Sequence, residues 1–281
     1  MLWAHDQVGA TWWRQWTFEP VTATLLATGV VLYALGVRNA WAQAGPGTGI
    51  RGWQAAAFTG GCLALAVAQI SPLAWLSDVL FSAHMTQHEI LMLVAAPLLV
   101  LGQPLLAMLW AVPPRKRAAV ASWLRGPAFR RAWHTVTGPS IVFLLHAIAL
   151  WTWHIPVLFE TALADGAVHF IQHMSFLGTA ALFWWGMVYG RYGRLGYGVA
   201  ILYVFLTALH NTILGALLTI APVAWYRSYE LTALQWQVDA LADQQLAGLI
   251  MWAPAAALYL GAALLLLSRW IGPDAAQARR G

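Results

Sequence analysis

Seven long apolar runs separate the polar segments of this chain, and they constrain its fold more than any other feature. A run of about 18 or more apolar residues is long enough to cross the hydrocarbon core of a bilayer as a helix. Only helices and closed barrels satisfy their backbone in lipid, and the alternation of a barrel strand is absent. The sequence therefore predicts an all-α polytopic membrane bundle. Its seven transmembrane helices are expected at about residues 20–37, 53–70, 80–102, 139–154, 167–189, 197–220 and 245–268.

The composition supports lipid as the solvent of this chain. Of its 281 residues, 60% are hydrophobic and only 9% are charged, which is too little charge to cover a soluble globule of this size. The basic residues lie between the apolar runs, so the net charge of +5 does not indicate a nucleic-acid partner. Cys62 is the single cysteine, which excludes an internal disulfide and a cysteine-based zinc site. We expect one transmembrane domain over residues 1–281.

The basic residues also predict the orientation of the bundle. If the N-terminus lies outside, the loops 38–52, 103–138 and 190–196 and the C-terminal tail are cytoplasmic, and they hold thirteen of the fifteen Lys and Arg residues. Lys and Arg in short loops set the orientation of membrane proteins, so the sequence predicts an outside N-terminus and a cytoplasmic C-terminus. The basic segment 103–138 is expected to form short interfacial helices on the cytoplasmic surface, in contact with anionic lipid.

Histidines are concentrated in the predicted spans. Seven of the nine lie in a span or at its edge, and the predicted topology places each of them in the outer half of the membrane or near its midplane. These seven are His84, His88, His146, His154, His169, His173 and His210. The other two, His5 in the outer tail and His134 in the basic segment, are expected to be amphipathic anchors at the interface.

Two spans begin with the same pattern, H-x-x-Q-H. It occurs at residues 84–88 in the third span and at residues 169–173 in the fifth. Histidines at positions i and i+4 share one helical face, and both spans run inward from the outside, so the two pairs are expected at similar depth. A histidine near an interface can be a simple anchor, but polar groups within spans usually face the bundle interior and often mark function. The pattern therefore predicts that the two pairs bind a metal or cofactor.

The other candidates are less clear from the sequence. His146 and His210 lie deeper, and each is either a metal ligand or a hydrogen-bond donor that bridges helices. His154 stands at a helix end and is the weaker candidate of its span. Methionines lie near these histidines or in the outer half of the last span, at Met85, Met92, Met174 and Met251. Thioethers beside imidazoles, without thiolates, favour copper over zinc, iron or magnesium, although methionine is also an ordinary core residue.

Three acids near the spans have other predicted roles. Glu89, beside His88, is the one acid within a predicted span. It is expected to orient an imidazole, to move protons, or to pair with a neighbour that lowers its burial cost. Asp165 and Asp243 precede the fifth and seventh spans, and both are predicted to be helix N-caps.

Six segments together resemble a known family. They are residues 84–92 (HMTQHEILM), 95–104 (AAPLLVLGQP), 153–156 (WHIP), 169–173 (HFIQH), 210–219 (HNTILGALLT) and 243–252 (DQQLAGLIMW). In order and spacing they resemble the CtaG family of cytochrome c oxidase assembly factors, the multi-spanning kind associated with caa-type oxidases. The resemblance extends from about the third span to the seventh, and residues 1–75 contribute little to it.

The resemblance implies a role in maturing the copper-containing active site of a haem–copper oxidase. The protein would bind copper on the periplasmic side of the bacterial plasma membrane and hand it to the catalytic subunit, without being an enzyme. A periplasmic copper donor is a further implied partner. The motif positions carried onto this chain are His84, His88, His154, His169, His173 and His210, with Met251 a softer candidate.

Other functions remain open from the sequence. A copper or cation transporter is disfavoured, because the inner halves of the spans are almost purely apolar. A membrane haem protein, with facing histidines as axial ligands, stays an alternative. An intramembrane hydrolase lacks support, since the chain has no H-E-x-x-H, G-x-S-x-G or P-loop motif.

Overall fold

The computed structural model describes residues 11–189 and 197–271, and within these ranges the chain is helical with no β-strand. The helices, numbered in chain order, are α1 (Pro20–Ala44), α2 (Gly52–Gln69), α3 (Pro72–Ser77), α4 (Phe81–Leu101), α5 (Pro104–Ala111), α6 (Pro114–Arg125), α7 (Pro127–Val136), α8 (Pro139–Trp153), α9 (Pro156–Ala164), α10 (Gly166–Tyr189), α11 (Tyr197–Ile220), α12 (Arg227–Gln235) and α13 (Ala240–Ile271). His5, the loop 190–196 and the C-terminal tail beyond residue 271 lie outside the described residues.

A helix forms at each of the seven apolar runs, namely α1, α2, α4, α8, α10, α11 and α13. Within the described ranges, α1, α4, α11 and α13 are each long and apolar enough to cross a membrane, and α7 with α8, bent by 55° to each other, would make a fifth span. The all-helical class is confirmed, with four or five candidate membrane spans, whereas seven spans and the orientation of the termini stay predictions. Helix α10 is long enough to be a candidate span but not apolar enough, because His169, Gln172 and His173 lower its mean hydropathy.

Prolines set the start of many helices. Seven helices, α1, α3 and α5 to α9, have proline at their first position, where its missing N–H would have no intrahelical partner and its fixed φ suits the helix. The predicted interfacial segment 103–138 accordingly contains three short helices. Helices α6 and α7, both fully described, bury no residue. Helix α5 instead packs against α1, so closely that a Cβ atom on Gly36 would lie 1.9 Å from the carbonyl oxygen of Ala107.

Two hydrophobic cores hold the bundle together. The larger core lies among α4, α8, α10, α11 and α13 and includes Phe176, Phe183 and Trp184. The smaller core joins α1, α2 and α5, and in it the rings of Tyr33 and Phe58 stack with their centroids 3.7 Å apart. The hydroxyl of Tyr33 also donates to the carbonyl oxygen of Gly102 at 2.8 Å, which ties α1 to the end of α4.

Helices α11 and α13 approach each other backbone to backbone. A Cβ atom on Gly248 would lie 2.5 Å from Thr219 Oγ1 and 2.6 Å from the carbonyl oxygen of Gly215. Small residues permit such close packing between membrane helices, where dispersion contacts replace the hydrophobic effect. The contact fixes α13 within the bundle, and α13 in turn packs against α4.

Helix α4 contains a π-helical stretch at Ile90–Ala95, directly after its two histidines. The backbone N–H of Ala96 bonds to Leu91 five residues back, and Pro97 has no N–H to offer to Met92. The carbonyl oxygen of Met92 instead accepts a hydrogen bond from Trp184 Nε1 at 3.0 Å. Wide turns of this kind often lie at functional sites, and this one adjoins the histidine pair of α4.

The two ends of the bundle differ in what covers them. Helices α3, α9 and α12 lie at one end, which we call the histidine end. There His84 contacts Phe159 on α9 and Tyr229 on α12, and Tyr229 in turn bonds to Ser77 on α3. Helices α6 and α7 lie at the opposite end, which we call the basic end because they carry Arg115, Lys116, Arg117, Arg125, Arg130 and Arg131.

Candidate metal centre

The two H-x-x-Q-H pairs meet near the histidine end. His84 and His88 project from α4, and His169 and His173 project from α10. Ring centroids within the pairs are 4.4 Å and 4.1 Å apart. Across the helices, the centroid distance is 5.0 Å for His88 and His173, 5.4 Å for His84 and His169, and 6.1 Å for His84 and His173. The four rings therefore lie together, and we call these four residues the histidine cluster.

The histidine cluster has the dimensions of a metal site. An ion bound at about 2.0–2.1 Å from an imidazole nitrogen lies about 3 Å from the ring centroid, so two imidazoles on one ion have centroids at most about 6 Å apart. Ligand nitrogens of His84, His169 and His173 lie within 4.8 Å of one another. The Nε2 atoms of His88 and His173 are 3.1 Å apart. Two nitrogens that share one ion are at most about 4 Å apart, so these separations are close to those of a metal site.

Tyr229 determines which nitrogen of His84 is free. Its hydroxyl donates to the carbonyl oxygen of Ser77 at 2.8 Å and lies 2.9 Å from His84 Nδ1. Burial raises the pKa of Tyr229 well above its ordinary value, so the phenol stays neutral and has one proton to give. With that proton on Ser77, the hydroxyl accepts from Nδ1–H of His84, and Nε2 of His84 keeps its lone pair. This Nε2 is buried and has no hydrogen-bond partner among the described residues.

The other rings of the histidine cluster are partly held in place. Nδ1 of His173 lies 3.0–3.1 Å from the side-chain amide of Gln69, which fixes the ring plane. His88 Nδ1 and His169 Nε2 are buried without a hydrogen-bond partner in the described part of the chain. Hydrogen bonds to the second nitrogen of a ligating imidazole are the usual way in which proteins orient metal ligands. The cluster thus has oriented rings and unsatisfied nitrogens.

His154 lies beside the cluster but outside its ring contacts. Its Nδ1 is 2.7 Å from the carbonyl oxygen of Leu150, which leaves Nε2 as the acceptor nitrogen. Its ring contacts Phe159 and Phe176, each with centroids 6.3 Å away. Phe159 also contacts His84, and Phe176 contacts His88. The two phenyl rings therefore lie next to both His154 and the cluster.

His146, His210 and Met251 lie elsewhere. His146 on α8 and His210 on α11 pair with each other, with centroids 5.8 Å apart, and no ring contact within residues 11–189 and 197–271 joins them to the histidine cluster. Met251 is buried on the face of α13 within the larger core. Met174 is half-exposed and lines the same cavity as His169. The role of each as a ligand stays a prediction.

The prediction for Asp243 is wrong, and the correction bears on the site. Helix α13 begins at Ala240, and Asp239 caps it by accepting from the N–H of Ala242 at 2.7 Å. Asp243 instead accepts from the N–H of Phe81 at 2.7 Å and from the hydroxyl of Ser82. It therefore caps α4, the helix of His84 and His88, from a different helix.

The prediction for Asp165 is confirmed. Its carboxylate accepts from the N–H groups of Ala167 and Val168 at 2.8 and 3.1 Å, in the first turn of α10. Glu89 is buried beside His88, and its Oε2 has no hydrogen-bond partner among the residues described. The three predicted roles of Glu89 stay open.

Residues 221–240 close the histidine end, and the sequence patterns gave no sign of this role. Glu160 on α9 accepts from the N–H and hydroxyl of Ser228, and the hydroxyl of Thr232 donates to Val79. Tyr226 donates to the carbonyl oxygen of His154 at 3.0 Å. These partners are more than 60 residues apart in sequence, so no local spacing could have revealed them.

A cleft reaches the histidine cluster from the side of the bundle. This cavity of about 450 Å³ lies between α1, α2 and α10, and both His169 and His173 line it. Glu19, Asp78 and Gln69 line its part near the histidine end, and mostly apolar side chains such as Leu25 line the remainder. Glu19 caps α1, and hydrogen bonds from the Thr22 hydroxyl and backbone lower its pKa. Burial raises the pKa of Asp78.

Three mycobacterial proteins are similar to this chain in sequence. Uncharacterized proteins of Mycobacterium bovis and Mycobacterium tuberculosis are each 26% identical over 226 residues, which are 78% of this chain and 34% of the relative. One of Mycobacterium leprae is 25% identical over 273 residues, which are 94% of this chain and 40% of the relative. The chain thus spans two fifths or less of the length of these relatives. No solved structure matches it.

The family comparison covers most of the chain and agrees with the resemblance carried by the histidine motifs. The family model for the cytochrome c oxidase caa3 assembly factor matches residues 31–272, a range that contains both H-x-x-Q-H segments. The chain therefore belongs to the cytochrome c oxidase caa3 assembly factor family.

Proposed function

We propose that this protein binds copper through His84, His88, His169 and His173 and hands it to the catalytic subunit of a haem–copper oxidase. The observation that carries the proposal is the buried Nε2 of His84, whose lone pair has no partner among the described residues while Tyr229 holds Nδ1. A buried polar atom without a hydrogen bond costs about 1–3 kcal/mol. Three rings of the cluster carry such an atom, and ligand nitrogens of His84, His169 and His173 lie within 4.8 Å of one another, near enough for an ion to be shared among them.

The donor set favours copper among the metals that imidazole binds. Calcium and magnesium prefer oxygen ligands, whereas copper and zinc both bind imidazole. The cluster offers imidazoles, with the thioether of Met174 on the wall of the cleft that also holds His169 and His173. Imidazole with thioether suits copper, and a site open on one side suits an ion that must be released again.

The proposed topology has seven spans, α1, α2, α4, α8, α10, α11 and α13, with the N-terminus outside. Helices α2 and α10 are 18 and 24 residues long and pack against the same α4 in the bundle. The basic end then faces the cytoplasm, as the Lys and Arg residues of α6 and α7 favour. The histidine cluster then lies toward the periplasmic side of the bacterial plasma membrane, where a copper donor would load it.

Two alternative functions receive less support. The four rings of the cluster contact one another directly, which leaves no gap for a porphyrin plane between two of them. A transporter needs polar groups that continue to the basic end, but beyond Thr179 on α10 the core holds Phe183 and Trp184. Delivery of copper from one side fits this arrangement better than either alternative.

The test is the copper content of protein purified without added metal. We expect wild type to contain copper and the variant with His84→Ala and His88→Ala to contain less of it, while eluting as a folded species in size-exclusion chromatography. His134→Ala is the matched control, because this histidine is exposed on α7. Equal copper in wild type and the double variant would exclude the cluster, and a visible haem band in the purified protein would favour the haem alternative.

A second experiment tests the handover. Copper-loaded wild type is mixed with copper-free oxidase catalytic subunit, and oxidase activity is followed after the two proteins are separated. We expect activity to appear with wild type and with His134→Ala, and not with the double variant. Retained copper with no recovered activity would contradict delivery while leaving copper binding intact.

A further inference from the structure

A second pair of imidazoles lies deeper in the bundle, apart from the histidine cluster. His146 is in the middle of α8 and His210 in the middle of α11, with their ring centroids 5.8 Å apart and their planes at 66°. The ring of Phe143 packs edge-on against His210 at 5.4 Å. His146 is buried and His210 is half-buried, so this pair lies at a junction of helices.

Thr179 on α10 orients His146. Its hydroxyl donates to the carbonyl oxygen of Ser175 at 2.8 Å and lies 3.0 Å from His146 Nδ1. Because the hydroxyl gives its single proton to the backbone, it accepts from Nδ1–H of His146. The lone pair of His146 is then on Nε2, which is free to bind a metal while Nδ1 is held by Thr179.

His210 does not act as a helix-bridging donor. Both of its ring nitrogens are buried, and neither has a hydrogen-bond partner among the described residues. The bridging role left open by the sequence therefore holds for His146, through Thr179, but not for His210. Burying a neutral imidazole whose nitrogens make no hydrogen bond costs about 1–3 kcal/mol of stability for each unsatisfied nitrogen. No group in the described ranges satisfies this ring, and a bound ion would satisfy one of its nitrogens.

The spacing of the two rings fits one shared ion at a wide angle. With each nitrogen at about 2.0–2.1 Å from the ion, two ring centroids are about 6.4 Å apart when the nitrogen–ion–nitrogen angle is straight, and about 5.2 Å apart at a tetrahedral angle. The measured 5.8 Å lies between these limits and corresponds to an angle of about 130°. Two neutral ligands at a wide angle suit a soft monovalent ion, whereas zinc requires four ligands.

We propose that His146 and His210 form a second binding site for Cu(I), separate from the histidine cluster. Thr179 follows His173 by six residues on α10, which is about 9 Å of helix rise. The two sites therefore share no ligand, and each can be removed without the other. A deeper site of this kind would hold a second ion nearer the middle of the bundle.

The experiment is an anaerobic titration of purified full-length protein with Cu(I) against a coloured Cu(I) chelator. We expect two ions per chain in wild type, one in His210→Phe, and one in the variant with His84→Ala and His88→Ala. Phenylalanine at position 210 keeps an aromatic ring beside Phe143 and removes both nitrogens. Thr179→Val, which keeps both histidines and releases Nδ1 of His146, is expected to weaken one of the two binding steps about 10-fold or more.

The outcomes separate this inference from the proposed function. Wild-type stoichiometry in His210→Phe overturns the second site and leaves the histidine cluster untouched. Loss of one ion in His210→Phe with no loss in the double variant supports the second site and contradicts the proposed one. A single ion per wild-type chain that the double variant loses would also overturn this inference. Thermal unfolding of each variant verifies that it is folded.

Discussion

Replacing Tyr229 with phenylalanine removes one hydroxyl from the candidate site and no other atom. That hydroxyl joins Nδ1 of His84, at 2.9 Å, to the carbonyl oxygen of Ser77, at 2.8 Å. In the variant both groups lose this buried partner, and an unsatisfied buried polar group costs about 1–3 kcal/mol. We therefore expect Tyr229→Phe to lower the midpoint of thermal unfolding.

The same change should weaken copper binding. Without the hydroxyl, the ring of His84 can rotate and either nitrogen can carry the proton, so the lone pair on Nε2 is no longer fixed. Loss of the hydrogen-bond partner of a ligating imidazole typically lowers metal affinity 10–100-fold, which corresponds to about 1.4–2.8 kcal/mol of binding free energy. A competition titration with a coloured Cu(I) chelator measures the change directly, with the wild-type protein as reference.

Tyr226→Phe is the matched control for Tyr229→Phe. Its hydroxyl is also buried and also donates to a backbone carbonyl, that of His154 at 3.0 Å, but it touches no imidazole nitrogen. We expect a similar loss of stability and little change in copper affinity. If Tyr229→Phe keeps wild-type affinity, or if both variants lose affinity equally, the assignment of the free nitrogen of His84 is wrong.

Two further predictions concern the helices that support the site. Asp243→Ala leaves the first N–H groups of α4 without an acceptor, so we expect a loss of about 1–3 kcal/mol in stability together with weaker copper binding. Asp239→Ala, which removes the cap of α13 itself, should cost about 1 kcal/mol of stability and leave the copper affinity unchanged. Equal copper affinities in the two variants would refute this prediction. Gly248→Ala places a Cβ atom 2.5 Å from a threonine hydroxyl and should lower the free energy of unfolding by about 1–3 kcal/mol. Gly261→Ala is the control, because a Cβ atom there meets nothing within 4 Å, and it should be neutral or stabilising in the same thermal unfolding measurement. A Gly248→Ala protein as stable as wild type would contradict the close packing of α11 and α13.

The sequence predicts the helices well because few backbone structures satisfy their hydrogen bonds in lipid. A helix forms at each apolar run, and seven helices start at prolines that are visible in the sequence. The ends are less predictable: α1 continues to Ala44 and α13 starts at Ala240, since both pass beyond the apolar run into polar residues. In the π-helical stretch at Ile90–Ala95, the carbonyl oxygen of Met92 accepts from Trp184, 92 residues away, and no local pattern indicates this contact.

The candidate site was predictable to the extent that it repeats one local motif. Two H-x-x-Q-H segments on helices of equal direction had to place their histidines at similar depth, and the structure brings them together. The pairing of His146 with His210 required the contact between α8 and α11, which spacing cannot supply. Tyr229 and Asp243 were missed for the same reason, since their partners lie 145 and 162 residues away in the chain.

The two helices that carry the H-x-x-Q-H motifs, α4 and α10, have different surroundings in the candidate site. Helix α4 is held from the histidine end, by Asp243 at its first turn and by Tyr229 at His84. Helix α10 carries its histidines on the wall of the cleft, where His169 and His173 are the members of the cluster that line it. An ion bound as we propose would therefore leave the site past His169 and His173 of α10, after it has parted from His84, whose ring Tyr229 holds.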